Sequence, residues 1–301
     1  MENQQAVVQS IFGPIFIGVF LNAVLYGALV VQTYFYFQSS NKDPRWTKFF
    51  VLFLLIAETA SLVIDFAIAW EPLIENYGSP EIFQKTPTTF SADPLVTSVI
   101  STAVQAFQGW RIRKLTKSNL IFAFIILTAC ASLTAGFTTT VLVALHPFFN
   151  QLQMLELGFL IWLAVSALVD ILIAVSLSWF VLRQKKQLRQ EELSTPTNSV
   201  LNRIMFFTLQ TGAITALASI ADVLTFTLSE DKTLQLVWAY SLSKLYSNSL
   251  LSMLNARAEW SKLLKPSSKE IDDPDTEIDD FQEIKPQSKG KVPATVVHPP
   301  F

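Results

Sequence analysis

The chain has 301 residues, of which 51% are hydrophobic and only 15% are charged, and its formal net charge is −2. A soluble domain carries about 25% charged residues, so the composition argues against a soluble globular protein. A net charge this small gives no indication of a nucleic-acid partner, and a single cysteine, Cys130, excludes an intrachain disulfide.

Seven apolar runs are long enough to cross a bilayer, since roughly 20 residues suffice. In chain order they cover residues 11–38, 47–71, 94–113, 119–145, 155–182, 202–228 and 233–256. The third run follows Asp93 and begins with a proline, which is a typical helix start. The predicted fold is therefore all-α, an integral membrane bundle of seven helices at residues 11–257. Residues 1–10 lack the basic region of a cleavable signal peptide and are predicted to be an extracellular N-terminus.

Lys and Arg residues concentrate in alternate loops, near 39–48, 111–117 and 183–203, whereas residues 1–10 and 146–153 contain none. Because cytoplasmic loops are the basic ones, we expect the N-terminus outside and the C-terminus in the cytosol. The plasma membrane is the expected location, with other endomembranes left open. Loop 183–203 is the candidate surface for a cytosolic protein partner, and contact with anionic lipids is its alternative role. The residues expected to face that side are Arg111, Arg113, Lys114, Arg183, Lys185, Lys186 and Arg189.

Residues 258–301 have a different composition, rich in Pro, Ser, Lys and acidic residues, with little apolar periodicity. Such a segment cannot bury enough apolar surface to fold, so it is predicted to be a disordered cytosolic tail. Its acidic stretch IDDPDTEIDDFQE, residues 271–283, is either an interaction site or a solubilising extension.

Polar side chains recur every three or four residues within most of the apolar runs, so each set forms a stripe on one helix face. An unpaired polar group in hydrocarbon costs several kcal/mol, so these stripes should face a protein interior or a wet cavity rather than lipid. The stripe residues are Asn22, Tyr26, Glu58, Ser61, Asp65, Ser101, Gln105, Gln108, Trp162, Ser166, Asp170, Thr211, Thr215, Ser219, Asp222, Ser241, Lys244, Asn248, Ser252 and Asn255.

The candidate site, either a ligand-binding site or a core polar cluster, is made of Lys244, Glu58, Asp65, Asp170, Asp222 and Asn248. At 1.5 Å per residue Lys244 lies roughly 20 Å from the inner boundary, where an unpaired charge is costly. Because the second and seventh helices are neighbours in most seven-helix bundles, we expect Lys244 to pair with Glu58 or Asp65. Such a pair could be purely structural, or it could contact a ligand or an ion.

The chain resembles a family of seven-span fungal proteins, found mainly in basidiomycetes, whose function is unknown. The resemblance rests on FGPIFIGVFLNAVLYGALVVQTYFYF, KDPRWTKFFV, QAFQGWRIRKL, LVDILIAVSL and KLYSNSLLSMLNAR, and it covers residues 11 to about 257. It implies one seven-helix membrane domain and no particular activity. It marks Lys244, Tyr246, Ser247, Asn248, Asn255 and Arg257 as family positions without an assigned role.

Three functions are open from the sequence. A receptor-like sensor would hold a small extracellular molecule in a polar core that opens outward through Asp65 and Asp222. A transporter or channel would use the intramembrane acids as an ion pathway, and a structural scaffold would only organise partners in the membrane.

An enzyme is not expected, because the two histidines, His146 and His298, lie away from the buried acids and cannot complete a metal set or a triad. Lys244 resembles the retinal-binding lysine of microbial opsins, but the third span has no acid to act as a counter-ion. No cofactor is therefore expected.

Overall fold

The computed structural model describes residues 2–39, 43–79, 82, 84–148, 156–190, 196–229 and 232–263, with the backbone alone for 2–8, 184–190, 196–208, 232 and 257–263. Within these ranges the chain is all-helical, without a β-strand, and it forms seven long α-helices. They are α1 (Glu2–Ser39), α2 (Arg45–Trp70), α3 (Asp93–Thr116), α4 (Asn119–Leu145), α5 (Glu156–Gln190), α6 (Pro196–Leu228) and α7 (Leu236–Leu263).

The helices pack as a ring in which each contacts its neighbours in the chain and α7 closes the ring against α1. The third helix has the most central position, because it contacts α2, α4, α5 and α7. The seventh also contacts α2 and α3. The polar stripes of α3 and α7 are therefore presented to other helices.

The helices agree with the predicted apolar runs and most extend beyond them. Helix α4 has the predicted bounds, because the Ser118 side chain accepts the Ile121 amide at its start (3.4 Å) and His146-Pro147 follows its end. Helix α7 continues to Leu263, six residues into the segment predicted to be the tail, because the apolar pattern that marks a span does not mark the end of a helix. The rest of the predicted tail, residues 264–301, lies outside the described residues, as does the middle of loop 183–203.

The surface of the bundle is largely apolar, and its interior holds charged and polar side chains beside apolar clusters, unlike a soluble protein. Large side chains such as Phe49 (70% exposed) and Leu127 (67%) point outward, whereas Glu58 and Lys244 are fully buried. Within the part of the chain that the structure describes, five helical segments are long and apolar enough to span a membrane, namely Gln9–Ser39, Arg45–Glu75, Asn119–Leu145, Glu156–Arg183 and Leu209–Leu228. Helices α3 and α7 are not among them, because both carry many polar residues.

One end of the bundle, the basic end, carries Arg45, Lys48, Arg113, Lys117 and Arg183, at the first residues of α2, the α3–α4 turn and the late turns of α5. The opposite end is covered by the connection between α2 and α3. There a π-helical turn (Glu71–Glu75) and a 3-10 turn (Thr88–Ser91) are joined where the amide and the hydroxyl of Thr88 both donate to Glu71 (2.8 Å each).

Two glycines allow helices to approach closely. A Cβ atom on Gly18 of α1 would lie 2.8 Å from the backbone oxygen of Leu236 at the start of α7. A Cβ atom on Gly136 of α4 would lie 2.5 Å from the Cβ of Ser98 on α3. At both positions, small residues bring backbones together as they do in membrane helices.

Candidate functional site

A buried ion pair joins α7 to α2 at the centre of the bundle. The Nζ atom of Lys244 lies 2.6 Å from Oε2 of Glu58, with both side chains fully buried, and it also donates to Oγ of Ser61 (3.1 Å). Glu58 accepts further bonds from the hydroxyls of Ser247 (2.5 Å) and Ser243 (3.3 Å), one turn apart on α7. Lys244 is therefore paired with an acid of the second helix, as expected, and both charges have polar partners.

Asp65 lies one helical turn further along α2 from Ser61 and belongs to the same network. Its Oδ2 atom accepts bonds from Asn22 of α1 and from Ser61 (3.3 Å), so Ser61 links Lys244 to Asp65 through hydrogen bonds. Asp65 also interacts electrostatically with Asp93, the first residue of α3. This network ties the first, second, third and seventh helices together.

A second buried cluster surrounds Asp170 of α5. Its carboxylate accepts bonds from Gln105 of α3 (3.1 Å), from Ser219 of α6 and from Tyr246 of α7. The hydroxyls of Ser219 and Tyr246 also lie 2.9 Å from each other. Four helices thus meet at one carboxylate whose hydrogen-bonding capacity is largely used within the protein.

A cavity of about 330 Å³ lies above this cluster and extends to the end of the bundle opposite the basic end. Ser219 and Tyr246 lie at its inner limit, and Pro87 and Thr233 at the covered end. Its acidic lining residues are Asp93, Glu156 and Asp222, and its aromatic lining residues besides Tyr246 are Phe90, Phe159, Trp162 and Phe226. Such a combination of apolar walls and few convergent polar groups is typical of small-molecule sites.

Two buried oxygen atoms in the cavity lining have no hydrogen-bond partner among the described residues. They are Oδ1 of Asp222, a residue that is 1% exposed, and Oε1 of Gln235, 8% exposed. Asp222 also interacts electrostatically with another acid, Asp93. Buried polar groups in native proteins almost always have partners, so these oxygens face a place where a donor is missing.

The predicted site residues are thus divided between the polar networks and the cavity. Asp222 lines the cavity, whereas Asp65, which was expected at its opening, is not among the lining residues and is held by Asn22 and Ser61. Asn248 donates to the backbone oxygens of Leu25 (3.0 Å) and Lys244 (2.8 Å), so it joins α7 to α1.

Asp93 and Gln235 were not predicted from the sequence to belong to the site. Asp93 was interpreted only as a helix start, and the connection before α7 that places Gln235 carried no periodic signal. In both cases the signal available was a polar residue at the end of a span, which sequence alone does not distinguish from an ordinary boundary residue.

At the basic end of the bundle, basic side chains contact aromatic rings and polar neighbours. Nζ of Lys114 lies 4.2 Å from the ring centre of Trp110, and the Arg183 guanidinium lies 5.0 Å from that of Trp179. Arg113 donates to Asn119 (2.8 Å). Arg111 is half-buried, and the side chains of Lys185, Lys186 and Arg189 lie outside the described residues. Aromatic and basic side chains placed in this way are typical of the membrane interface.

The helices that form the inner limit of the cavity are α5, α6 and α7, and they coincide with a region known from other proteins. A DUF6534 domain, of unknown function, lies at residues 166–259. The DUF6534 domain contains Asp170, Asp222 and Lys244, whereas Glu58 and Asp93 precede it in the chain. No curated protein and no solved structure matches the chain. The domain therefore adds no activity to what the geometry indicates.

Proposed function

We propose that the protein is a seven-span receptor-like sensor that binds a small extracellular molecule in the cavity above Asp170. The observation that carries the proposal is the cavity itself, about 330 Å³, which ends at hydrogen-bonded polar side chains. In this proposal α3 and α7 are also spans, and their polar faces are tolerated because they pack inside the ring. The N-terminus and the cavity lie outside, because the basic end is the cytosolic one.

The arrangement beneath the cavity favours a receptor over a transporter. Asp170 is held by three donors and Glu58 by a lysine and two serines, so neither carboxylate is free to bind a passing ion. A ligand that contacts Tyr246 and Ser219 would instead act on the four helices joined at Asp170. A cytosolic protein partner that responds to that change would bind near loop 183–203. The protein would lie in the plasma membrane.

The orientation can be tested by cysteine labelling in a Cys130→Ala background, since Cys130 is exposed on α4. Tyr77, 83% exposed in the α2–α3 connection, and Lys117 at the basic end are the reporter positions. We expect a membrane-impermeant maleimide to label Tyr77→Cys on intact cells and Lys117→Cys only after permeabilisation. The reverse pattern would place the cavity in the cytosol and contradict an extracellular ligand.

The binding site can be tested by filling the cavity. Ala239 lines it, so Ala239→Phe should remove the space that a ligand needs, whereas Ala131→Phe makes the same change on an exposed position of α4. Cells that lack the protein are rescued with either variant and compared for responses to extracellular small molecules. We expect Ala131→Phe to restore responses and Ala239→Phe to fail although it is folded and at the surface. Equal rescue by both variants would refute a receptor that uses this cavity.

A transporter is the second candidate, because intramembrane acids are also the residues that ion pathways use. Uptake into proteoliposomes that is lost in Asp170→Asn would favour it over the receptor. A structural scaffold predicts that charge-neutral replacements at Lys244 and Glu58 leave the cellular phenotype intact in variants that fold.

A further inference from the structure

The unpartnered groups in the cavity all have the same hydrogen-bonding character. Asp222 Oδ1 and Gln235 Oε1 are acceptors, and each belongs to a side chain that is more than nine-tenths buried. An acceptor is satisfied only by a donor, so the missing group carries N–H or O–H bonds. A ligand whose polar end is a carboxylate, or another group without hydrogen-bond donors, would leave both atoms unsatisfied.

The cavity is also lined by acidic side chains without a matching cation among the described residues. Asp93, Glu156 and Asp222 line it, and no Lys, Arg or His side chain of the described residues does so. Lys244 acts on Asp93 electrostatically, but its ammonium bonds directly to Glu58 and Ser61 and does not line the cavity. Buried charges in proteins are normally paired, so the cavity acids call for a positive ligand.

The walls distinguish an organic cation from a metal ion. Among the described residues no three Asp, Glu, His or Cys side chains come together as a metal-binding group. The cavity is instead far larger than an ion and is lined by Phe159, Trp162 and Phe226. Aromatic rings attract ammonium groups through cation–π contacts and also accommodate an apolar body.

We propose that the cavity binds an organic ammonium ion, with a primary or secondary amine held between Asp222 and Asp93 and an aromatic or alkyl body packed against Phe159, Trp162 and Phe226. This inference rests on the proposed function and adds the chemical class of the ligand. The amine could be a free amine from outside the cell or the headgroup of an aminophospholipid. A lipid phosphate would find no basic side chain in the described lining, which favours the free amine.

The inference can be tested on the full-length protein in nanodiscs made of phosphatidylcholine alone. The probes are phenethylammonium and tryptammonium, with 2-phenylethanol as the neutral counterpart and 3-phenylpropanoate as the anionic one. Binding is measured by the shift in unfolding temperature and by calorimetry. We expect the two ammonium ions to bind and the alcohol and the carboxylate to bind at least about ten times more weakly, as loss of a charged hydrogen bond implies.

Variants locate the ammonium group. Asp222→Asn is expected to weaken ammonium binding about ten- to hundred-fold, and Asp93→Asn is the second variant in case the first does not fold. Glu75→Gln is the matched control, because Glu75 is an acid at the same end of the bundle, bonded to Trp70 and outside the cavity lining. It should bind as the wild type does. Unchanged binding in folded Asp222→Asn and Asp93→Asn would overturn the inference.

The outcomes separate this inference from the proposed function. Binding of the alcohol or the carboxylate as tight as that of the ammonium ions, and lost in Ala239→Phe, would refute the ammonium ligand and leave the receptor cavity standing. Absence of ammonium binding at roughly 1 mM, with or without phosphatidylethanolamine in the nanodisc, would also refute the ammonium ligand. Ammonium binding that appears only when phosphatidylethanolamine is removed would identify the lipid headgroup as the occupant. Ammonium binding that persists in Ala239→Phe would refute the cavity as the site, and with it the inference.

Discussion

Removal of the Lys244 ammonium is the perturbation whose energetic effect follows most directly from the geometry. Lys244→Met replaces the lysine by an apolar side chain of similar length but leaves Glu58 fully buried without its counter-ion. Breaking a buried ion pair by removal of one partner costs about 3–5 kcal/mol. Because Ser243 and Ser247 still donate to Glu58, we expect a loss of stability near the lower value, about 3 kcal/mol.

The double variant Lys244→Met/Glu58→Leu should be far less damaging than either single change. It removes both charges at once, and replacement of a buried pair by apolar residues is often neutral or stabilising. We expect its free energy of unfolding to lie within about 1 kcal/mol of the wild type, which corresponds to a coupling energy of at least about 2 kcal/mol. Unfolding by dodecyl sulfate in mixed micelles, followed by circular dichroism, gives all four stabilities.

The control is Lys85→Met, which removes a lysine that is exposed in the α2–α3 connection and should change stability by less than about 0.5 kcal/mol. Equal destabilisation in Lys244→Met and in the double variant would refute the pairing, since no stranded carboxylate would then explain the loss.

Two further predictions concern the packing of the bundle. Asp170→Asn places an amide donor among the donors that surround Asp170 and should lower the free energy of unfolding by about 1–3 kcal/mol in the same assay, and an unchanged stability would contradict the bonds from Tyr246. Gly18→Ala directs a Cβ atom to 2.8 Å from the oxygen of Leu236 and should cost about 1–3 kcal/mol, whereas Gly27→Ala on the same helix meets nothing within 4 Å and should be neutral or stabilising by up to about 1 kcal/mol. Similar effects of the two alanines would show that α1 and α7 are not in close contact at Gly18.

The helices could be predicted from the sequence because apolar length is a local property of the chain. The bounds of α4 follow from Ser118 and His146-Pro147, which are adjacent to the apolar run. The C-terminal ends of α5 and α7 were predicted less accurately. Residues with high helix propensity continue beyond the apolar runs, and a hydropathy pattern does not detect them.

The pairing of Lys244 could be predicted in kind but not in detail. An unpaired lysine at that depth would be costly, so an acidic partner is expected. Glu58 and Asp65 both lie on the polar face of α2. Seven residues separate them, so they project from the same face two turns apart, and only the relative height of α2 and α7 decides between them. That height depends on packing of the whole ring, such as the contact of Gly18 with Leu236, which no local pattern encodes.

The cavity could not be predicted from the sequence for a related reason. Asp93 and Asp222 belong to helices that do not follow each other in the chain, and Gln235 lies in a turn before α7. Each residue alone resembles a span boundary or one more member of a polar stripe. Only the ring places their side chains around one space with apolar walls.

The ion pair of Lys244 with Glu58 also determines which acids of the cavity lining lack a positive partner. Lys244 is committed to Glu58, because the two serines that hold Glu58 lie on the same helix as Lys244 and fix both groups together. Had the lysine reached Asp222 instead, one of the three acids in the cavity lining would already have a positive partner within the protein. Because it does not, the acids that line the cavity have no hydrogen-bond donor with a positive charge among the described lining residues. The same ion pair that stabilises the contact of α2 with α7 therefore leaves the cavity acids to the proposed ammonium ligand.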